Sequence, residues 1–204
     1  MKALLNLLTI NENELAKDLE IKFSKIAKLL LNRYSIYNGI NEYEFVEFEF
    51  YVVNPQHPDV KTNGERIVYP RKDKKAGQLM YHYNGIDICF ENQSNKCYGG
   101  ILIRAIQNIN EDKTCGYGGP QVCKDEILNT ATQLPKVISK KTITNYELCD
   151  FPTKRVGIAN NSKYRYYRKS GNTSVKRERL STDTNGLIKD KPIITTYNWA
   201  QNPK

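Results

Sequence analysis

The sequence predicts an α+β fold, with a few helices set against a curved, mostly antiparallel sheet in a single domain. Three observations carry that prediction. Leu15, Leu19, Phe23, Ile26, Ala27 and Leu30 recur at the spacing of one helical face. Tyr43 to Val52 alternates in the manner of a strand. Asn84-Gly85, between two short apolar runs, is the strongest local hairpin signal, because both turn positions favour positive φ. With 204 residues, 39% of them hydrophobic, the chain can bury a real core and does not have the composition of a disordered protein.

In chain order, MKALLNLLTI carries a short apolar run that Asn6 interrupts and Glu12 and Glu14 follow, with no small-residue cleavage site. No stretch of about 20 apolar residues follows, so no membrane span is expected. A cytoplasmic protein acting as a monomer is expected instead. Asn11 and Glu14 have capping-box spacing, which starts the helix near residue 12 and lets it run to about 33, ahead of the Asn38-Gly39 turn. Residues 1–40 thus read as a helical segment, 41–171 as the main domain and 172–204 as a basic extension.

The strand over 43–52 is the centre of the functional reading. Alternation puts Val46, Phe48, Phe50 and Val52 on a core face, and Phe45, Glu47, Glu49 and Tyr51 on the other. A carboxylate beside an aromatic ring suits an enzyme that holds a planar ring while activating water. The ordinary alternative is a half-exposed strand whose acids face solvent. Asn54-Pro55 and His57-Pro58 then break the pattern, and residues 54–77 read as a long basic loop with Lys61, Arg66, Arg71, Lys72, Lys74 and Lys75. Loops of this length in compact domains are often functional.

Leu79 to Phe90 is expected to form the hairpin. With Asn84-Gly85 as its turn, Tyr83 faces Ile86, His82 faces Asp87 and Tyr81 faces Ile88. Ile101 to Ile106 reads as a buried strand containing Arg104, which should meet a carboxylate or a phosphate because an unpaired buried guanidinium is costly. Gln121 to Thr132 is compatible with a helix, and Arg155 to Ile158 with the start of a strand. Tyr164-Arg165-Tyr166-Tyr167-Arg168-Lys169 alternates rings and cations, which suits stacking on bases beside phosphates. It suits a charge-protected edge strand equally well. Beyond Gly171 the chain is polar and basic, with one docked strand expected around Pro192–Tyr197.

Thirty-one Lys and Arg against 22 Asp and Glu give a formal +9. That excess suits a polyanionic partner and suits a merely soluble basic protein equally. The five cysteines are odd in number and lack CxxC spacing, which argues against a zinc site or a disulfide framework.

Together these pieces resemble the alkyladenine (methylpurine) DNA glycosylase family. Val46-Glu47-Phe48-Glu49-Phe50-Tyr51 is similar to that family's V-E-T-E-A-Y strand. Tyr81, Gly85 and Cys89 fall at matching places in its hairpin, and Ile101-Leu102-Ile103-Arg104-Ala105-Ile106 is similar to V-L-I-R-A-L. Arg155-Val156-Gly157-Ile158 and Arg165-Tyr166-Tyr167-Arg168 look like its R-V-G-I and R-F-Y-V-R-G segments. The matches keep their order over residues 43–171.

The resemblance implies hydrolysis of an N-glycosidic bond, most readily excision of a modified purine from DNA, without metal or cofactor. Glu49 would be the general base that activates water against the sugar C1′. Tyr51 and Tyr81 would stack on the extruded purine, and Arg104 would order the water and the carboxylate. The family's pocket asparagine falls on Glu91. Its pocket histidine has no match at the expected spacing, His57 being the nearby one. The tyrosine it wedges into the duplex falls on Asn84, beside Tyr83, and so short a polar residue implies a preference for bases already loose. A free nucleoside or nucleotide N-glycosidase and a non-catalytic nucleic-acid-binding protein on the same fold are the alternatives.

Overall fold

The computed structural model describes residues 1–58, 74–91, 96–110, 115–150, 152, 155, 163–169, 174–179 and 193–198. The expected strand at 156–158, and Lys61, Arg66, Arg71 and Lys72 of the basic loop, lie outside the described residues. A one-turn helix, α1 (Lys2–Leu5), precedes the main helix, α2 (Ala16–Arg33). Asn11 N–H donates to Glu14 Oε2 at 2.8 Å, but the pair closes a turn ahead of the helix. The helix starts later than the predicted residue 12, where Leu15 N–H meets Asp18 Oδ2 at 3.3 Å. Its periodic residues Leu19, Phe23, Ile26, Ala27 and Leu30 are buried, whereas Leu15 remains largely exposed.

The strands are β1 (Tyr34–Tyr37), β2 (Glu42–Asn54), β3 (His57–Pro58), β4 (Leu79–His82), β5 (Gly85–Cys89), β6 (Tyr98–Asn108) and β7 (Cys115–Gly118). After helix α3 (Pro120–Asn129) come β8 (Lys136–Ser139), β9 (Glu147–Leu148), β10 (Arg165–Lys169), β11 (Ser174–Arg179) and β12 (Ile193–Asn198). Pro120 at the first position of α3 fits its locked φ and missing N–H. The sheet runs β12-β11-β7-β6-β2-β1-β8, with β5 and then β4 continuing from β6, and with β10 and β3 joining β2. Its strand pairings are antiparallel, except that β11 lies parallel to β7. The result is the predicted α+β domain, with a curled, mostly antiparallel sheet. The carboxy-terminal extension supplies a pair of strands, β11 and β12, rather than one docked strand.

β2 and α2 make the core. Phe50 stacks on Phe23 with ring centroids 4.3 Å apart, and Phe48, Phe90 and Tyr166 surround it. Predicted alternation holds from Glu47 to Val52 and fails before it. Phe45 sits in the core with Phe48, although three positions separate them, while Val46 packs with Ala105 in a separate small cluster. The cause is a paired irregularity. Phe45 faces Ile106, Glu47 faces Ala105 and Phe48 faces Ile103, so Val46 on β2 and Arg104 on β6 are both skipped by the ladder. Such bulges recur beside functional sites because they re-aim a side chain.

The hairpin register also differs from expectation. Tyr81 faces Ile86 and His82 faces Gly85, so the turn is Tyr83-Asn84. A Cβ on Gly85 would lie 2.9 Å from Pro120 Cβ and 3.0 Å from Leu102 Cδ1. Gly85 is therefore a close-packing position at the start of β5, and Lys124 of α3 holds the turn by donating to Tyr83 O at 3.0 Å. No described helix is long and apolar enough to cross a membrane.

Candidate active site

β2 is flanked by β6 on one side and, over Glu47–Glu49, by β10 on the other. Three strands therefore deliver charged side chains to one place. Glu47 Oε1 accepts from Arg104 Nε at 2.9 Å and from Arg165 Nε at 2.5 Å. Glu49 Oε2 accepts from the Tyr51 hydroxyl at 2.6 Å and lies 3.1 Å from an Arg104 terminal nitrogen. Two carboxylates and two guanidinium groups thus compensate one another, as buried charges must. Arg104 meets a carboxylate on each side.

The Glu49 carboxylate is held unevenly. Its Oε2 has two donors, whereas its Oε1 is buried with no hydrogen-bond partner; Arg165 Nε is the near cation at 3.9 Å, beyond hydrogen-bond reach. Glu49 as a whole is 0% exposed, and the Arg104 side chain, at 16%, is the most open of the four charged groups. Burial acts to lower the Arg104 pKa, but Glu49 and Glu47 together outweigh it and hold it above its ordinary value. Burial, reinforced by the charge of Glu49, pushes the Tyr51 hydroxyl well up, so it stays a donor.

Arg155 closes one end of the cluster. Its guanidinium carbon lies 5.3 Å from the Tyr51 ring centroid and 5.0 Å from that of Tyr164, and it donates to Phe50 O at 2.7 Å. A cation over the Tyr51 ring takes a place that a stacked purine would otherwise use. His57 is buried, with its ring 5.3 Å from that of Tyr164, and so lies next to this stack.

The other expected site residues are placed elsewhere. Tyr81 pairs with core residue Ile86, packs against the main core and reaches Pro135 O at 3.4 Å. Glu49, by contrast, lies opposite Leu102, whose other neighbour is Asp87. Glu91 is exposed and anchors the amino-terminal segment by donating its N–H to Leu8 O at 2.7 Å. Tyr83 and Asn84 form the exposed turn, and Tyr83, 83% exposed, points outward rather than pairing with Ile86. His82 and Asp87 do meet, Nε2 to Oδ1 at 3.3 Å, but diagonally rather than face to face.

The ring-and-cation run around β10 faces largely inward, with Lys169 exposed at its end. Tyr164 and Tyr166 are in the core, Arg165 joins the site, and Arg168 donates to Gln107 Oε1 at 2.7 Å. Arg168 also lies over the Tyr146 ring at 4.3 Å, beside a second buried ion pair, Lys140 with Glu44 at 2.9 Å. So the rings of β10 are not set out as a nucleic-acid stacking ladder, and the strand pairs with β2 over Arg165–Tyr167 and with β9 over Arg168–Lys169. Arg165, Arg155 and the clamping role of Glu47 were not assigned from sequence. The signal that could have found Arg165 is its place in the R-F-Y-V-R-G-like segment. Among the described residues, no group of three or more His, Cys, Asp or Glu side chains is placed to hold a metal ion. A scan against family models and a search of curated proteins each return no match to this chain.

Proposed function

We propose that the protein hydrolyses an N-glycosidic bond, excising a modified purine from DNA with Glu49 as the general base. The observation that supports this reading is the uneven Glu49 carboxylate. Tyr51 and Arg104 fix Oε2, while Oε1 is a buried acceptor with no partner. An acceptor in that state is suited to take a proton from water. In the step envisaged, the C1′–N bond breaks with its electron pair leaving on the purine. Water adds to the oxocarbenium-like C1′, and its proton passes to Oε1. The Glu49 charge also stabilises the developing cation, and Arg104 and Tyr51 keep the carboxylate aimed. The base must first be extruded, since a stacked nucleotide is inaccessible.

The complete burial of Glu49 favours a second reading, in which the charged cluster only fixes the strands of a non-catalytic nucleic-acid-binding protein. Incubation with alkylated DNA, followed by alkali cleavage at abasic sites, separates the two when run beside a panel of nucleosides analysed by chromatography. Alkali-labile breaks with a released purine are the expected result. Release from nucleosides alone would assign a nucleosidase, and no release from either would leave the cluster structural.

A further inference from the structure

We propose that Glu47 is a positioning residue, which holds Arg165 away from Glu49 Oε1 and so keeps that oxygen uncapped as an acceptor. The inference rests on the reading of Glu49 as the general base. Arg165 lies directly across from Glu49 in the β10–β2 register, so it is the guanidinium best placed to cap the Glu49 carboxylate. It does not do so. Its Nε is 2.5 Å from Glu47 Oε1 and 3.9 Å from Glu49 Oε1. The same Glu47 oxygen takes Arg104 Nε at 2.9 Å, and the Nη1 of Arg104 lies 3.1 Å from Glu49 Oε2.

The backbone explains why Glu47 can do this. The ladder sets Glu47 opposite Ala105, next in β6 to Arg104, and Glu47 lies two positions from Glu49 in β2, so both carboxylates can reach the same guanidinium. A charged group two positions from the base thus acts as the counter-ion for both arginines. Removing its charge would leave Glu49 as the carboxylate, among the described residues, that lies within 4 Å of both guanidinium groups, and Arg165 would close the 3.9 Å gap. A hydrogen bond to the charged form of an acid favours that form, so a capped Oε1 is a poorer proton acceptor.

The test compares Glu47→Gln, Arg165→Gln and the double variant on an alkylated oligonucleotide, with Glu49→Gln as reference and folding followed by circular dichroism. Per folded molecule, Glu47→Gln should lower kcat by about 10–100-fold, part of a general-base contribution, with KM little changed. Arg165→Gln alone should cost far less, because Glu47 then still engages Arg104. The double variant should recover most of the lost kcat, since the guanidinium that capped Oε1 is gone. A merely structural Glu47 would not be rescued by deleting a second member of the same ion network. Overturning results are a double variant no faster than Glu47→Gln, or a Glu47→Gln that turns over normally while Glu49→Gln is inactive. If Glu49→Gln keeps its turnover, or the unaltered protein releases no base, the general-base reading falls and takes this inference with it.

Discussion

Glu49→Gln should keep its fold and its affinity for DNA but lose on the order of 10²–10⁴ in turnover, the range for removing a general base. The substitution keeps the shape of the side chain and an oxygen for the Tyr51 hydroxyl, which donates at 2.6 Å. It removes the negative charge and the basic lone pair on Oε1, the only oxygen of the two that no donor occupies. Arg104 keeps Glu47 at 2.9 Å, so the change does not orphan a guanidinium. Single-turnover cleavage of an alkylated oligonucleotide, with binding followed by fluorescence anisotropy, separates the chemical step from affinity. A variant that still turns over at the unaltered rate would remove Glu49 from the base position.

The largest stability effect is expected at Phe50. Its ring is fully buried, stacked on Phe23 at 4.3 Å and edge-on to Phe48 and Tyr166 at 5.8 and 5.3 Å. Replacement by alanine deletes the ring that joins α2 to the middle of the sheet. The surroundings cannot close on the space, because Phe23, Phe90 and Tyr166 belong to three different elements or connections. Phe→Ala at such a site costs about 3–5 kcal/mol through lost burial and a residual cavity. Urea unfolding should show the midpoint falling with the slope little changed. A loss under about 1 kcal/mol would mean that the core collapses around the gap more readily than its packing implies. Because Glu49 and Tyr51 flank Phe50 in β2, activity should also fall at temperatures where the variant is still folded.

What the sequence revealed, and what it hid, divides by the range of the interaction. The α2 face was legible because Leu19, Phe23, Ile26 and Leu30 need only a helical repeat to be read. The strand holding Glu49 was legible from a repeat of two. The failure at Val46 was not, because it depends on β6 skipping Arg104 at the matching point, and a single strand carries no record of its partner's register. The hairpin shows the same limit on a smaller scale. Asn84-Gly85 marked the turn, but close packing of Gly85 against Pro120 and Leu102 moved the turn one residue back to Tyr83-Asn84.

The site divides in the same way. Glu49, Tyr51 and Arg104 sit on two strands whose local sequence named them. Arg165 reaches the cluster from more than a hundred positions away, opposite Glu49, and its run of rings and cations read instead as a surface. In the fold Tyr164 and Tyr166 fill the core, and Arg165 and Arg168 meet Glu47 and Glu44 of β2. Tyr81 carried the right residue type for stacking, yet its pairing with Ile86 places it with the core.

Chemical rescue tests the role of Glu49 most directly. Glu49→Ala removes the carboxylate and leaves space where a small acid can bind beside Tyr51 and Arg104. Added formate should restore base release from alkylated DNA to this variant in a saturable way, and should not accelerate the unaltered protein. Base release by Glu49→Ala at the unaltered rate, with no formate present, would contradict a catalytic carboxylate at this position.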